Sequence, residues 1–95
     1  MTPLTCLAVA IFFEARAEPT VGMEAVANVI INRVEDSRYP DTVCDVVWEP
    51  YQFSFTHDGL TDDPEAHTGH QDKLAWGTSQ EAAKEALQGN LLGIL

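Results

Sequence analysis

The run from Leu4 to Phe13 constrains this chain more than any other feature: ten residues with one polar member, Thr5, followed at once by the carboxylate of Glu14. A surface helix shows an apolar stripe, whereas a segment apolar all round must be buried on most of its faces. Thr2 is placed to cap this helix with Pro3 at its first position. Pro19 closes it, since the residue before a proline is pushed out of the helical region. Glu14 is then expected in a dry setting near a helix C-terminus. Desolvation favours the protonated carboxyl, and the helix dipole disfavours negative charge at that end. Both effects make Glu14 a candidate general acid. The competing reading pairs it with Arg16 or another cation as an anchor for the helix end.

Ninety-five residues suffice for one domain. Fifteen acidic against five basic residues give a formal charge of −10 with no Lys/Arg cluster. Nucleic acid and anionic membrane surfaces are poor partners for such a field. The apolar start has no charged segment before it, and Glu14 and Arg16 interrupt it short of a membrane span. It reads as neither a signal peptide nor a transmembrane helix. Cys6 and Cys44 lie far apart, each flanked by apolar residues. A disulfide closing a long loop and two buried free thiols are both open readings.

Helical organisation extends through most of the chain. Thr20 is read as the cap of a second helix to about Val34, with Met23, Val26, Ala27, Ile30 and Val34 at core spacing. After a loop over residues 36–41, Asp41 or Thr42 caps a short third helix through Trp48. The alternation from Tyr51 to Thr56 predicts a strand, and Asp58-Gly59 the turn of a short β-hairpin. Residues His57 to Gln71 read as a long acidic surface loop. A last helix is expected from about Asp72 to Gln88, with Leu74, Ala75, Ala82, Ala83, Ala86 and Leu87 inward and Gly89 as its C-cap. The apolar residues Leu91, Leu92, Ile94 and Leu95 then lead to the expectation of a domain cut at its C-terminus.

The residues carry a resemblance in order along the chain. Cys6-Leu7-Ala8, Phe13-Glu14-Ala15-Arg16-x-Glu18-Pro19, Gly22-x-x-Ala25-Val26-Ala27-x-Val29-x-x-Asn32-Arg33, Pro40-x-Thr42-Val43-Cys44-x-Val46-Val47 and Gln52-Phe53-Ser54 are similar to the SleB-type cell wall hydrolase family, the spore cortex-lytic enzymes and their bacterial and phage relatives. The resemblance implies a mainly α (α+β), lysozyme-like helical catalytic domain, with residues 1–95 as its N-terminal portion and the family's C-terminal segment absent. It implies peptidoglycan glycan strands as the partner, cleaved between N-acetylmuramic acid and N-acetylglucosamine. Glu14 of the F-E-A-R motif would be the acid, and Gln52, Phe53 and Ser54 would line the cleft. Location in the cell envelope, periplasm or wall, or delivery by a phage, follows from that substrate.

A two-carboxylate glycosidase needs a second Asp or Glu at a fixed distance from the acid. Glu18, Glu24 and Asp58 are the candidates, with Glu18 also a possible substrate contact or a partner of Arg16 or Arg33. A lytic transglycosylase needs one carboxylate, no metal and no cofactor. The alternatives are an N-acetylmuramoyl-L-alanine amidase and a non-catalytic wall-binding fragment. Arg16 and Arg33 are expected to bridge helix ends to acidic side chains, and Asn32 to be a hydrogen-bonded core residue. His57, His67 and His70 show no zinc-site spacing and are read as part of a mobile acidic loop, with no metal assigned.

Overall fold

In the computed structural model, which describes residues 1–50, 53–57 and 61–92, Thr2 is the extended N-cap of α1 (Pro3–Ala15). Its hydroxyl accepts the Thr5 amide at 3.1 Å, and Pro3 occupies the first turn, where its missing N–H costs nothing. Seven consecutive residues, Cys6 to Phe12, are buried, followed by Ala15. Unbroken burial over two turns requires neighbours on all sides, and α1 lies against α2 (Thr20–Val34), α3 (Val43–Val47) and α4 (His70–Leu92). The completely buried Leu7, Ile11 and Phe12 each contribute about 1.5–3 kcal/mol relative to an exposed side chain. The apolar run thus makes α1 the central helix around which the others pack.

Pro19, extended at ψ 168°, is the N-cap of α2, and Thr20 is its first helical residue without a capping bond. This corrects the expected cap by one position: the ring fixes Pro19 outside the helix while its carbonyl accepts the amides of Gly22 at 2.9 Å and Met23 at 3.3 Å. Met23, Ala27, Ile30 and Ile31 are buried, and Val26 and Val34 pack on them from the edge. Thr42, rather than Asp41, caps α3 by accepting the Asp45 amide at 3.1 Å, and the helix ends at Trp48. A disulfide joins Cys6 of α1 to Cys44 of α3, with Cα atoms 5.3 Å apart. Closing a loop of this length stabilises by about 4 kcal/mol in the loop-entropy model.

The expected β-hairpin is not formed among the described residues, which contain no strand. Ser54–His57 is a 3₁₀ turn, while Tyr51, Gln52, Asp58 and Gly59 lie outside the described residues. An isolated strand would leave its backbone unpaired. The turn instead satisfies the Phe53 carbonyl locally, from the Thr56 amide at 3.3 Å and the Thr56 hydroxyl at 2.8 Å. Phe53 and Phe55 are nevertheless both buried, so the alternation marked core contacts and not a sheet. The lysozyme-like architecture implied by the resemblance has no support in this helical arrangement.

The acidic segment that follows is partly structured: Asp63 caps a second 3₁₀ turn, Pro64–Ala66, whose Pro64 is buried. Helix α4 begins two residues earlier than expected and runs through Gly89, which therefore does not cap it. An interior glycine costs a helix only about 1 kcal/mol. The buried face of α4 is built from small residues, Ala75, Ser79, Ala82 and Ala83, which brings it close to α1 and α2. Leu74, read as inward, is 54% exposed because that face is centred one position further along the helix. No described helix is long and apolar enough to cross a membrane.

Candidate functional site

Where α1 leaves the core its character changes within two residues. Phe12 is fully buried, Phe13 half-buried and Glu14 exposed, so the dry setting expected for this carboxylate holds on one side only. That side is a cavity of about 200 Å³ lined by Glu14, by Ala25, Val26 and Val29 of α2, and by Phe53. Apart from Glu14 itself, every described lining side chain is a hydrocarbon. Desolvation by this wall raises the Glu14 pKa above its ordinary value. No hydrogen bond or ion pair to the carboxylate occurs among the described residues, so it is free to give a proton to a ligand atom.

Arg16 does not reach Glu14, because residues two apart on a helix point to different sides. Its guanidinium lies 5.2 Å from the Phe12 ring centre, 3.7 Å from an Asp72 carboxylate oxygen and 3.1 Å from Nδ1 of His67. A guanidinium can only donate, so His67 Nδ1 accepts and Nε2 carries the proton. The expected bridge from Arg16 to an acid is thus present, and it ties the end of α1 to the start of α4.

Glu18 lies apart from the cavity lining and pairs with neither Arg16 nor Arg33. Its side chain lies over the first turn of α2, so close that a Cβ at Gly22 would come within 2.7 Å of the Glu18 Cβ. Glu24 belongs to a different depression, between α2 and α4, with Asn28, Ala82, Glu85 and Ala86. Asn32 is exposed and not part of the core. Gln52 and Asp58 lie outside the described residues, and Ser54 is described only as the first residue of its turn. Among the described residues, Phe53 is the expected substrate contact brought to Glu14. Among the described residues, no group of three His, Cys, Asp or Glu is arranged to hold a metal. His70 opens α4 at the surface.

Sequence reasoning missed Ala25, Val26 and Val29 as site residues. The signal was present: Met23, Ala27 and Ile30 already supply a core stripe, so Ala25 and Val29 are apolar residues in excess of what one buried face requires. Val29 is 44% exposed in consequence. Arg33 was expected to bridge to an acid, yet it makes no hydrogen bond or ion pair among the described residues. Its guanidinium instead faces the rings of Tyr39 and Phe53.

A family model for cell wall hydrolases matches residues 17–93, a span that starts three residues past Glu14. The chain is similar to the spore cortex-lytic enzyme of Halalkalibacterium halodurans, 42% identical over 71 residues, covering 72% of this chain and 22% of that protein. It is likewise similar to that of Bacillus subtilis, 36% identical over 80 residues, covering 80% of this chain and 26% of the relative. A third, from Oceanobacillus iheyensis, is 47% identical over 53 residues, or 56% of this chain and 19% of the relative. The chain therefore spans between about a fifth and a quarter of the length of these curated relatives. No solved structure gives a significant match. The family match over most of its residues, together with these identities, shows that the chain belongs to the cell wall hydrolase family.

Proposed function

We propose that this chain carries the acid of a peptidoglycan-cleaving site acting between N-acetylmuramic acid and N-acetylglucosamine as a lytic transglycosylase, with Glu14 as the single catalytic carboxylate. The observation that carries the reading is the cavity in which Glu14 is the one polar side chain among the described lining residues, beside Ala25, Val26, Val29 and Phe53. Among the described residues no second carboxylate lines it, which suits a mechanism that needs one. Glu14 protonates the glycosidic oxygen as the bond to the muramoyl C1 breaks. The sugar's own C6 hydroxyl then bonds to C1, and Glu14 takes back the hydroxyl proton. Atoms balance without water: the products are a 1,6-anhydromuramoyl end and a free sugar hydroxyl. Raising the carboxyl pKa keeps the proton available closer to neutral pH.

Membership of the cell wall hydrolase family supports the substrate class, and the names of the curated relatives place their action at the spore cortex. Mass spectrometry of purified sacculi digested with the protein tests the reading. Anhydromuropeptides are expected. Reducing muramic ends would show hydrolysis by water, free stem peptides an amidase, and intact sacculi a non-catalytic role; each of these would overturn the transglycosylase assignment.

A further inference from the structure

Ala25, Val29 and Arg33 follow one another at four-residue spacing along α2, so they share a stripe of that helix. The first two line the Glu14 cavity. The third stands one turn further on, and its guanidinium carbon lies 5.3 Å from the centre of the Tyr39 ring and 5.6 Å from that of Phe53, which also lines that cavity. Nη1 of Arg33 is buried with no hydrogen-bond partner among the described residues. A donor left in this state is normally costly. Here two aromatic faces take the place of an anion, an arrangement suited to a planar, weakly hydrated cation and not to an ammonium.

Phe53 is buried, and its carbonyl accepts the Thr56 amide at 3.3 Å and the Thr56 hydroxyl at 2.8 Å. It precedes a 3₁₀ turn, has no strand neighbour among the described residues, and meets Phe55 at a ring separation of 6.2 Å. Tyr39 is held within its own loop: its amide donates to the Asp36 carbonyl at 3.0 Å, and Asp36 is bound by Arg38 at 2.7 Å. Arg33 therefore connects a ring of the loop after its own helix to a ring of the cavity lining.

We propose that Arg33 is a positioning residue of this site: by spanning Tyr39 and Phe53 it fixes the Phe53 wall, and so the width of the cavity, against the Ala25–Val29 stripe of its own helix. The functional part of the proposal rests on the reading of Glu14 as the acid. One helix then supplies one wall directly and holds the other through a cation.

The test uses the full chain labelled with para-fluorophenylalanine, with the Phe53 fluorine resonance assigned through Phe53→Leu. Arg33→Met is expected to move that resonance and to lower kcat/KM on glycan strands about tenfold, with Arg33→Lys in between. In a Phe53→Leu background, Arg33→Met should cause no further loss, which a merely structural arginine would not show. Should Arg33→Met not fold, Tyr39→Leu leaves the charge in place and should move the same resonance. Arg38→Met is the control, since Arg38 also faces Tyr39, at 5.9 Å, but does not face Phe53. An unmoved Phe53 resonance, additive losses with Phe53→Leu, or an equal effect of Arg38→Met would overturn the proposal. If Glu14→Gln retains cleavage, it is the acid assignment that fails, and the fluorine resonance still decides whether Arg33 holds Phe53.

Discussion

Phe13 stacks on Phe55, with ring centres 5.1 Å apart and planes inclined by 16°. One of these residues precedes Glu14 and the other follows Phe53 by two positions, so a single aromatic contact registers the carboxylate against the wall that desolvates it. Trp48 meets the edge of Phe55 at 5.5 Å and His67 that of Phe13 at 5.4 Å, which extends the contact to α3 and to the acidic segment. Phe55→Ala is expected to destabilise the fold by about 3–5 kcal/mol. Phe55→Leu should keep the fold and reduce cleavage; chemical denaturation alongside an activity assay separates the two effects.

Glu14→Gln retains the shape of the acid and removes its titration. Muropeptide release should fall by about two to four orders of magnitude in a folded variant. Release at the wild-type rate would remove Glu14 from the mechanism.

Desolvation places the Glu14 pKa above 4.5, its ordinary value. Cleavage that depends on the protonated form is therefore full below the raised pKa and declines as pH rises through it. Stability follows the same sign. Below pH 4.5 the carboxyl is protonated in both folded and unfolded chains; above the raised value, ionisation penalises only the folded one. The melting temperature of Glu14→Gln relative to wild type should thus climb from about pH 4 to pH 7, a small effect because the residue is exposed. A difference independent of pH would show that Glu14 titrates as it does in the unfolded chain.

Reduction, or Cys6→Ala with Cys44→Ala, removes the link between α1 and α3. A loss of about 2–5 kcal/mol is expected, read from the denaturation midpoint with and without reductant. No change on reduction would mean that α3 is held on α1 by Val43, Val46 and Val47 alone.

Gly22 tolerates no side chain while Glu18 lies over it, because the nearest atom is the Glu18 Cβ, which cannot swing away as a side-chain tip can. Gly22→Ala should cost about 1–3 kcal/mol. Glu18→Gly in the same chain should recover most of that loss, and additivity of the two changes would contradict the close approach.

Much of the helical framework was legible along the chain because it depends on neighbours in sequence. The burial of α1 on all sides follows from an apolar run with no polar face, and the caps at Thr2 and Thr42 from hydroxyls placed three residues before the amides they accept. The family resemblance and the choice of Glu14 as a candidate acid were readable for the same reason. Tertiary structure alone decided which residues gather around that acid. The approach of Phe53, the pairing of Cys6 with Cys44 and the rings on either side of Arg33 are contacts between separate segments. Periodicity reports which face of an element is apolar but not what will cover it. The alternation around Phe53 shows the difference: Phe53 and Phe55 are both buried, yet with no partner strand among the described residues the backbone closes its hydrogen bonds locally and forms a turn.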